Sequence, residues 1–425
     1  MLRIGIAQVD ITPTAPVWLT GYGNRDHRSE GVYQALRAGA LYLEGDADRA
    51  LVLTADVIGF DLAYAAATKA RIAAATGLLP RQIVLTATHT HCGPFFFDWV
   101  MPGEVEAGYA AFLRERLVEV ALQAVGGAAP GTVRFGRGRS TFGVNRRLPD
   151  GKGGVLFAPN PDGPMDRDLD TLWLHCEGGE LLGSLTSFGC HPTSLGGYLV
   201  GGDYPGYLTR ALERETRTPA LFATGCGGNV RPWYNPGGQG FAAPTYEQIE
   251  QAGDRMAGEV LAAAGAARAV EAGGLRIAAA FHSLPYAPRP TRPELEEQAG
   301  QAADPLRQRW AREMLRLQAA GPLPSACPQE IQVLQLGPRL RLVFLGGEVL
   351  TEIGLHLKQA LQPADTVTVA YSNGVIAYVP GEETYPLGGY EVEGSHFYYL
   401  RPAPLARDAE RLIVTTVQSL AAGLG

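Results

Sequence analysis

Two periodicities alternate along the chain. Short apolar runs of strand character recur at 3–9, 51–57, 83–88, 171–175, 182–188, 220–224, 275–282, 330–336, 340–345 and 366–370. Between them, stretches rich in Ala, Leu, Glu and Arg repeat at about 3.6 residues, at 64–76, 108–125, 207–215, 246–269, 294–318, 348–361 and 405–420. This interleaving predicts a mixed α/β fold with β-sheets covered by α-helices. No internal repeat is evident. The proline-rich stretch 285–293 is the clearest linker, but chemically unusual residues lie on both sides of it. One domain over 1–425 is therefore expected.

Composition narrows the function classes. The chain has 425 residues, 46% of them hydrophobic, which is ample for a buried core. Its net charge of −7 argues against nucleic acid or an anionic membrane as partner. Only three of the 36 basic residues are lysines, Lys69, Lys152 and Lys358, which leaves little scope for Schiff-base chemistry. The five cysteines (Cys92, Cys176, Cys190, Cys226 and Cys327) are odd in number, scattered and free of CxxC pairs. They suit neither a disulfide framework nor a thiolate zinc site, and read as small buried fillers. The first residues read as a strand rather than a signal peptide, and no run of about 20 apolar residues could span a membrane. A cytoplasmic protein without a stable membrane anchor is expected.

Four segments carry candidate chemistry. Thr88-His89-Thr90-His91-Cys92-Gly93-Pro94 follows a strand-like run. Residues two apart on a strand share a face, so His89 and His91 can converge at its end as zinc-type imidazoles. Two polar residues near a turn would look the same. Cys190-His191-Pro192 also follows a strand, where a capping or core histidine is the simpler reading taken alone. Gly346-Gly347-Glu348 places an acid at the predicted start of a helix, where the helix dipole alone would favour it. Tyr378, in a Gly-rich loop, has nothing in its surroundings to select it as a ligand.

In this order, the four segments resemble the neutral (non-lysosomal) ceramidase family. Val9-Asp10-Ile11-Thr12-Pro13, Gly21-Tyr22, Gly143-Val144-Asn145-Arg146 and Gly202-Asp203 through Gly206-Tyr207 add to the likeness, which runs from about residue 4 to about residue 394. The resemblance implies a neutral-ceramidase-type catalytic domain with zinc held by His89, His191, Glu348 and Tyr378. It implies that His91 and Arg146 are active-site residues and that Tyr390 helps hold the scissile amide. Zinc-activated water would then attack an amide carbonyl, His91 would move the proton, and Tyr390 or Arg146 would stabilise the oxyanion.

Several positions depart from the family pattern. The family's Gly-Asp-Val-Ser-Pro reads Gly228-Asn229-Val230-Arg231-Pro232 here, which removes a serine nucleophile. Phe95 and Phe96 stand where the family has glycines, and are expected to crowd the approach to the metal. Tyr33 replaces a histidine. The chain ends at Gly425 without the family's C-terminal immunoglobulin-like domain. These departures point to a substrate smaller and more polar than ceramide. Arg231, near Arg146 and Arg147, suggests an anionic group on it; pairing of Arg231 with an internal acid such as Asp203 is the competing explanation. Other readings are a zinc esterase or lactonase, and a catalytically silent ligand-binding relative. A TIM-barrel metal hydrolase and a metallo-β-lactamase fit less well. The first would show eight βα repeats, and the second Asp-His where Gly93-Pro94 stands.

Overall fold

The strand Leu2–Asp10 runs through the middle of a nine-stranded sheet. The structure, a computed structural model, describes residues 2–271 and 274–424. From one edge the strands are Ala220–Thr224, Leu181–Phe188, Asp168–Cys176, Ala129–Arg139, Leu2–Asp10, Arg37–Glu44, Arg49–Ala55 and Ile83–Ala87. Arg268–Ala269 adds beside Ala129–Arg139. A second sheet orders Arg276–Pro285, Ala326–Leu336, Leu340–Leu345 and Asp365–Val369.

Side-chain alternation builds the layers. Leu41 and Leu43 share a core with Leu334, Leu342 and Phe344 of the second sheet. Ala40 and Tyr42, between and beside them, pack with Leu113, Leu117 and Val120 of the helix Ala107–Gly126. Val333 and Val343 turn the other way, onto Ile353 and Ile413 of the helices Thr351–Ala360 and Ala409–Ala422. Trp173 and Phe222 meet Leu208 and Met256 of the helices Asp203–Thr216 and Tyr246–Ala264. The result is two facing sheets with helices on the outside. Strands buried on both faces read as nearly continuous apolar runs, which is why most were visible in the sequence.

The large sheet coils until its edge strands meet. Thr224 Oγ1 of one edge strand donates to Thr88 O, just past the other, at 2.7 Å, and Gln8 Nε2 of the central strand reaches across to Ala220 O at 2.9 Å. Parallel pairing joins Arg49–Ala55 to Ile83–Ala87, Leu181–Phe188 to Ala220–Thr224, and Leu340–Leu345 to Asp365–Val369. The carboxyl ends of these strands gather on one side. There Ala370 N–H donates to Thr224 O at 2.9 Å and Asn373 N–H to Leu85 O at 2.7 Å, joining the two sheets. Sites collect outside carboxyl strand ends in sheets of this kind.

The structure corrects several sequence expectations. The helix expected over 246–269 stops at Ala264, and Arg268–Ala269 becomes a strand. The one expected over 294–318 is two helices, Arg292–Gln301 and Pro305–Ala320. Pro305 cannot continue a helix, and Asp304 caps the new one by accepting from Leu306 N–H at 2.9 Å. The helix expected over 348–361 begins only at Thr351; Glu348–Val349 is a short strand paired with Tyr378–Val379. The dipole explanation for Glu348 therefore fails. The expected linker 285–293 is tied to the body, with Tyr286 N–H on Ser325 O at 3.0 Å and Ala287 N–H on Pro404 O at 2.9 Å. Among the described residues no helix is long and apolar enough to cross a membrane.

Candidate metal centre and active site

His89, His91 and His191 meet on this side of the molecule, where their ring nitrogens could hold a metal. His89 lies beyond the end of Ile83–Ala87, at a left-handed φ of +66°. That turn, rather than strand alternation, aims its ring. His89 N–H is held by Val57 O at 2.9 Å, and its Nδ1 bonds Ile58 O at 2.6 Å. A carbonyl only accepts, so Nδ1 carries the proton and the Nε2 lone pair points into the cluster. The ring stacks on Tyr371 with centroids 4.1 Å apart.

His191 repeats the arrangement from a different strand. Its Nδ1 bonds Gly227 O at 2.9 Å, which likewise leaves Nε2 as an acceptor. Glu348 is placed by its parallel bridge to Tyr378, with its own N–H on Ala377 O at 2.8 Å. Its Oε2 stands 2.9 Å from His191 Nε2 and 3.1 Å from His89 Nε2. Tyr378 OH is 3.1 Å from His191 Nε2 and accepts from Arg146 Nη2 at 3.0 Å. His91 brings its Nε2 to 3.3 Å from His89 Nε2, while its Nδ1 is buried without a partner. The tilted Tyr22 ring packs on it at 5.0 Å. Gly21, at φ +98°, is needed there, because a Cβ would lie 2.5 Å from His91 Nδ1.

The electrostatics fit a cation. Burial pulls the His191 pKa down to about 4, with Arg146 adding to the effect, so the ring is neutral at pH 7. Burial raises the Glu348 pKa, but His89 and His191 outweigh it and hold the carboxyl well below the usual range. Burial pushes the Tyr378 phenol well up, partly opposed by Arg146. Two imidazole nitrogens and one carboxylate oxygen thus converge on one point, with Glu348 Oε2 2.9 Å from His191 Nε2 and 3.1 Å from His89 Nε2. A divalent cation satisfies such a set, and the second bonds from each Nδ1 to a backbone carbonyl are those that orient metal-ligating histidines.

A buried charge network surrounds the cluster. Arg146 donates Nε–H to Glu391 Oε1 at 2.8 Å, and Arg147 pairs with the other Glu391 oxygen. Burial works against the Arg146 charge, but Tyr378 and Glu391 outweigh it and raise its pKa well above the ordinary value. The half-exposed Tyr390 sets its ring 5.4 Å from that of Tyr378 and beneath the Arg146 guanidinium. Tyr399 donates its hydroxyl to Glu348 Oε1. No local signal marks Tyr399 or Glu391 in the sequence, since each acts through a contact distant along the chain.

The structure places the residues that depart from the family pattern. Phe95 and Phe96 do not crowd the metal approach, because both are buried in the core; Phe96 packs on Tyr64 at 5.2 Å and on Phe97 at 5.0 Å. Asp203 is not the partner of Arg231. It takes Ser194 N–H at 2.8 Å, Tyr204 N–H at 2.6 Å and the Ser194 hydroxyl. Asn229 is structural: its Nδ2 donates to both Glu352 oxygens at 2.9 Å, and its Oδ1 accepts from Thr351 N–H at 3.0 Å. Tyr33 accepts from Asp203 N–H at 3.0 Å. Asp56, at the end of Arg49–Ala55, accepts from Arg37 N–H at 2.9 Å and so braces neighbouring strands. Cys92, Cys190 and Cys226 are free and buried.

The family model for neutral/alkaline non-lysosomal ceramidase, N-terminal, matches residues 2–225, more than half of the chain. The chain belongs to that family. It is a ceramidase-family hydrolase. The neutral ceramidase of Mycobacterium tuberculosis (strain ATCC 25618 / H37Rv) is 26% identical over an alignment covering 92% of this chain and 73% of that protein. The fold matches a crystal structure of neutral ceramidase from Pseudomonas aeruginosa with a TM-score of 0.78 at 22% identity, covering all of this chain and 74% of that one. A ceramidase complexed with C2 matches with a TM-score of 0.77 at 21% identity, over all of this chain and 75% of that one.

Proposed function

We propose that this chain is a zinc-dependent hydrolase that cleaves a linear N-acyl amide with water. The observation that carries the reading is the meeting of His89 Nε2 and His191 Nε2 on Glu348 Oε2, at 3.1 and 2.9 Å, with each Nδ1 tied back to a carbonyl. Tyr378 completes the ligand set, and the Arg146 guanidinium on its hydroxyl lowers the cost of ionising it. A zinc ion held there supplies Lewis-acid polarisation of the carbonyl and a water whose pKa falls to about 7.

The remaining steps belong to the side chains. Hydrolysis forms a C–O bond from water, breaks the C–N bond, and releases a carboxylic acid and an amine. His91 stands beside His89 with its Nε2 facing the cluster, so that nitrogen can take the proton from water and return it to the leaving nitrogen. Tyr390 is half exposed beside Tyr378, and its hydroxyl is the donor best placed to meet the carbonyl oxygen as charge develops. Arg146 is committed to Tyr378 and Glu391, and acts by positioning them. Arg231, in place of the family's serine, supports a substrate more polar than ceramide with an anionic group on it.

The test is a hydrolysis panel on zinc-loaded protein. It holds N-acyl amides of increasing chain length, their matched esters, and ceramide. Faster turnover of amides than the difference in their uncatalysed rates allows, abolished by His191→Ala, is expected. Turnover of esters alone would replace the amidase reading with an esterase.

A further inference from the structure

Arg231 is a partly buried cation that, among the described residues, touches no carboxylate, although Asp203 acts on its charge from farther off. Arg146 and Arg147 share Glu391, and Arg25 is spent on the carbonyls of Thr20, His91 and Gly197. Arg231 makes one long bond, Nη2–H to Thr193 O at 3.3 Å. Among the described residues no carboxylate forms an ion pair with it, and Asp203 is already occupied by Ser194 and Tyr204. Leaving a partly buried guanidinium unpaired costs stability, so the arrangement calls for an explanation.

The surroundings of Arg231 are specific. Its Cζ lies 5.4 Å from the Phe157 ring and 5.1 Å from the Phe241 ring, and those rings are 5.5 Å apart. Three nearly equal distances put both rings on one side of the guanidinium. Phe157 is 57% exposed, and its ring also lies 5.5 Å from the Arg146 Cζ, so a single phenyl separates Arg231 from the side chain that holds Tyr378. Arg231 pairs with Val144 across the strands, and Trp233 continues that pairing with its N–H on Phe142 O at 2.9 Å. Residues 231 and 233 therefore share a face. Trp233 Nε1 and Thr193 Oγ1 are buried without partners. Guanidinium and indole N–H groups can only donate, and a hydroxyl can. These groups offer donors without a matching acceptor, which suits an oxyanion. A planar carboxylate suits the guanidinium fork.

We propose that Arg231, with Trp233 and Thr193, binds a carboxylate on the substrate, so that the amide cleaved at the metal centre is that of an N-acyl amino acid. The exposed Phe157 ring and the partly buried Phe241 ring cover apolar parts of the same molecule. This inference rests on the amide-hydrolase reading above and is tested separately from it.

Zinc-loaded wild type and Arg231→Gln are compared on N-hexanoylglycine and its neutral counterpart N-hexanoylglycinamide. A bidentate charge-assisted contact predicts that wild type prefers the acid by about 10- to 100-fold in kcat/KM. Arg231→Gln should erase most of that preference through KM, Arg231→Lys should keep part of it, and Trp233→Phe should weaken it less. Calorimetric Kd values for the same two compounds give the same comparison if neither is cleaved. Equal use or equal binding of acid and amide by wild type would overturn the proposal, as would a preference that survives in Arg231→Gln. Stronger preference for N-hexanoylaminomethylphosphonate would overturn the carboxylate in favour of a phosphate-like group. Amide turnover without dependence on Arg231 sinks this inference and spares the hydrolase reading. Arg231-dependent carboxylate binding without any turnover does the reverse.

Discussion

Tyr399 donates its phenolic hydrogen to Oε1 of Glu348, so Oε2 is the oxygen that faces His89 and His191. The hydroxyl fixes which lone pairs of the carboxylate remain for a metal. Tyr399→Phe keeps the ring and removes only that bond. Loss of such a supporting contact typically weakens metal binding by about 10- to 100-fold. A competition titration against a chromogenic chelator should show this loss. Unchanged affinity would mean that Tyr399 is only a packing residue.

Glu391 neutralises two buried arginines at once, Arg146 and Arg147. Removing the acid strands both charges in the interior. Glu391→Gln should cost about 3–5 kcal/mol in urea denaturation, the scale for breaking a buried ion pair. It should also weaken zinc retention, because Arg146 holds Tyr378. A cost below about 1 kcal/mol would show that the arginines find water instead.

Glu352 gives the chain a pH-dependent weakness away from the metal. Burial, only partly offset by Asn229, raises its pKa to about 7. The folded state then binds this proton more tightly than the unfolded chain, whose carboxyl titrates near 4.5. The sign follows: the group costs nothing below about pH 4.5, and stability falls as pH rises through about 7. The full penalty is about 3 kcal/mol. Glu352→Gln should therefore gain on wild type between pH 5 and pH 8 in thermal melts. A constant difference across that range would contradict the shift.

Much of the fold was legible because strands buried on both faces, such as Leu340–Leu345, are apolar throughout. Arg37–Glu44 and Ala129–Arg139 escaped notice, since Ala, Gly and Arg dilute their apolar pattern. His89 and His191 could be suspected from their places after strands, yet the positive φ that turns the His89 ring inward leaves no mark in the residue type. Tyr378 was selected only by resemblance to a family. Its bridge to Glu348 joins segments that only the folded chain brings together. Tyr399 and Glu391 were invisible for the same reason.

Gly21 tests the second histidine without touching a proposed ligand. A Cβ there would stand 2.5 Å from His91 Nδ1, on a backbone at φ +98°. Gly21→Ala should displace the His91 ring and lower kcat on any cleaved amide by more than about tenfold, a typical share for a proton-transferring group. Zinc content should stay near that of wild type. Loss of zinc together with activity would instead make His91 a ligand.

The central claim is that His89, His191 and Glu348 hold a zinc ion. Its most direct test is metal stoichiometry by plasma mass spectrometry, on wild type beside His191→Ala and Glu348→Ala. The account predicts about one zinc per wild-type chain and little in either variant, with both variants still folded. A wild type that retains no metal after zinc addition and dialysis would contradict it, and would leave a family fold whose buried lone pairs are held apart by protons.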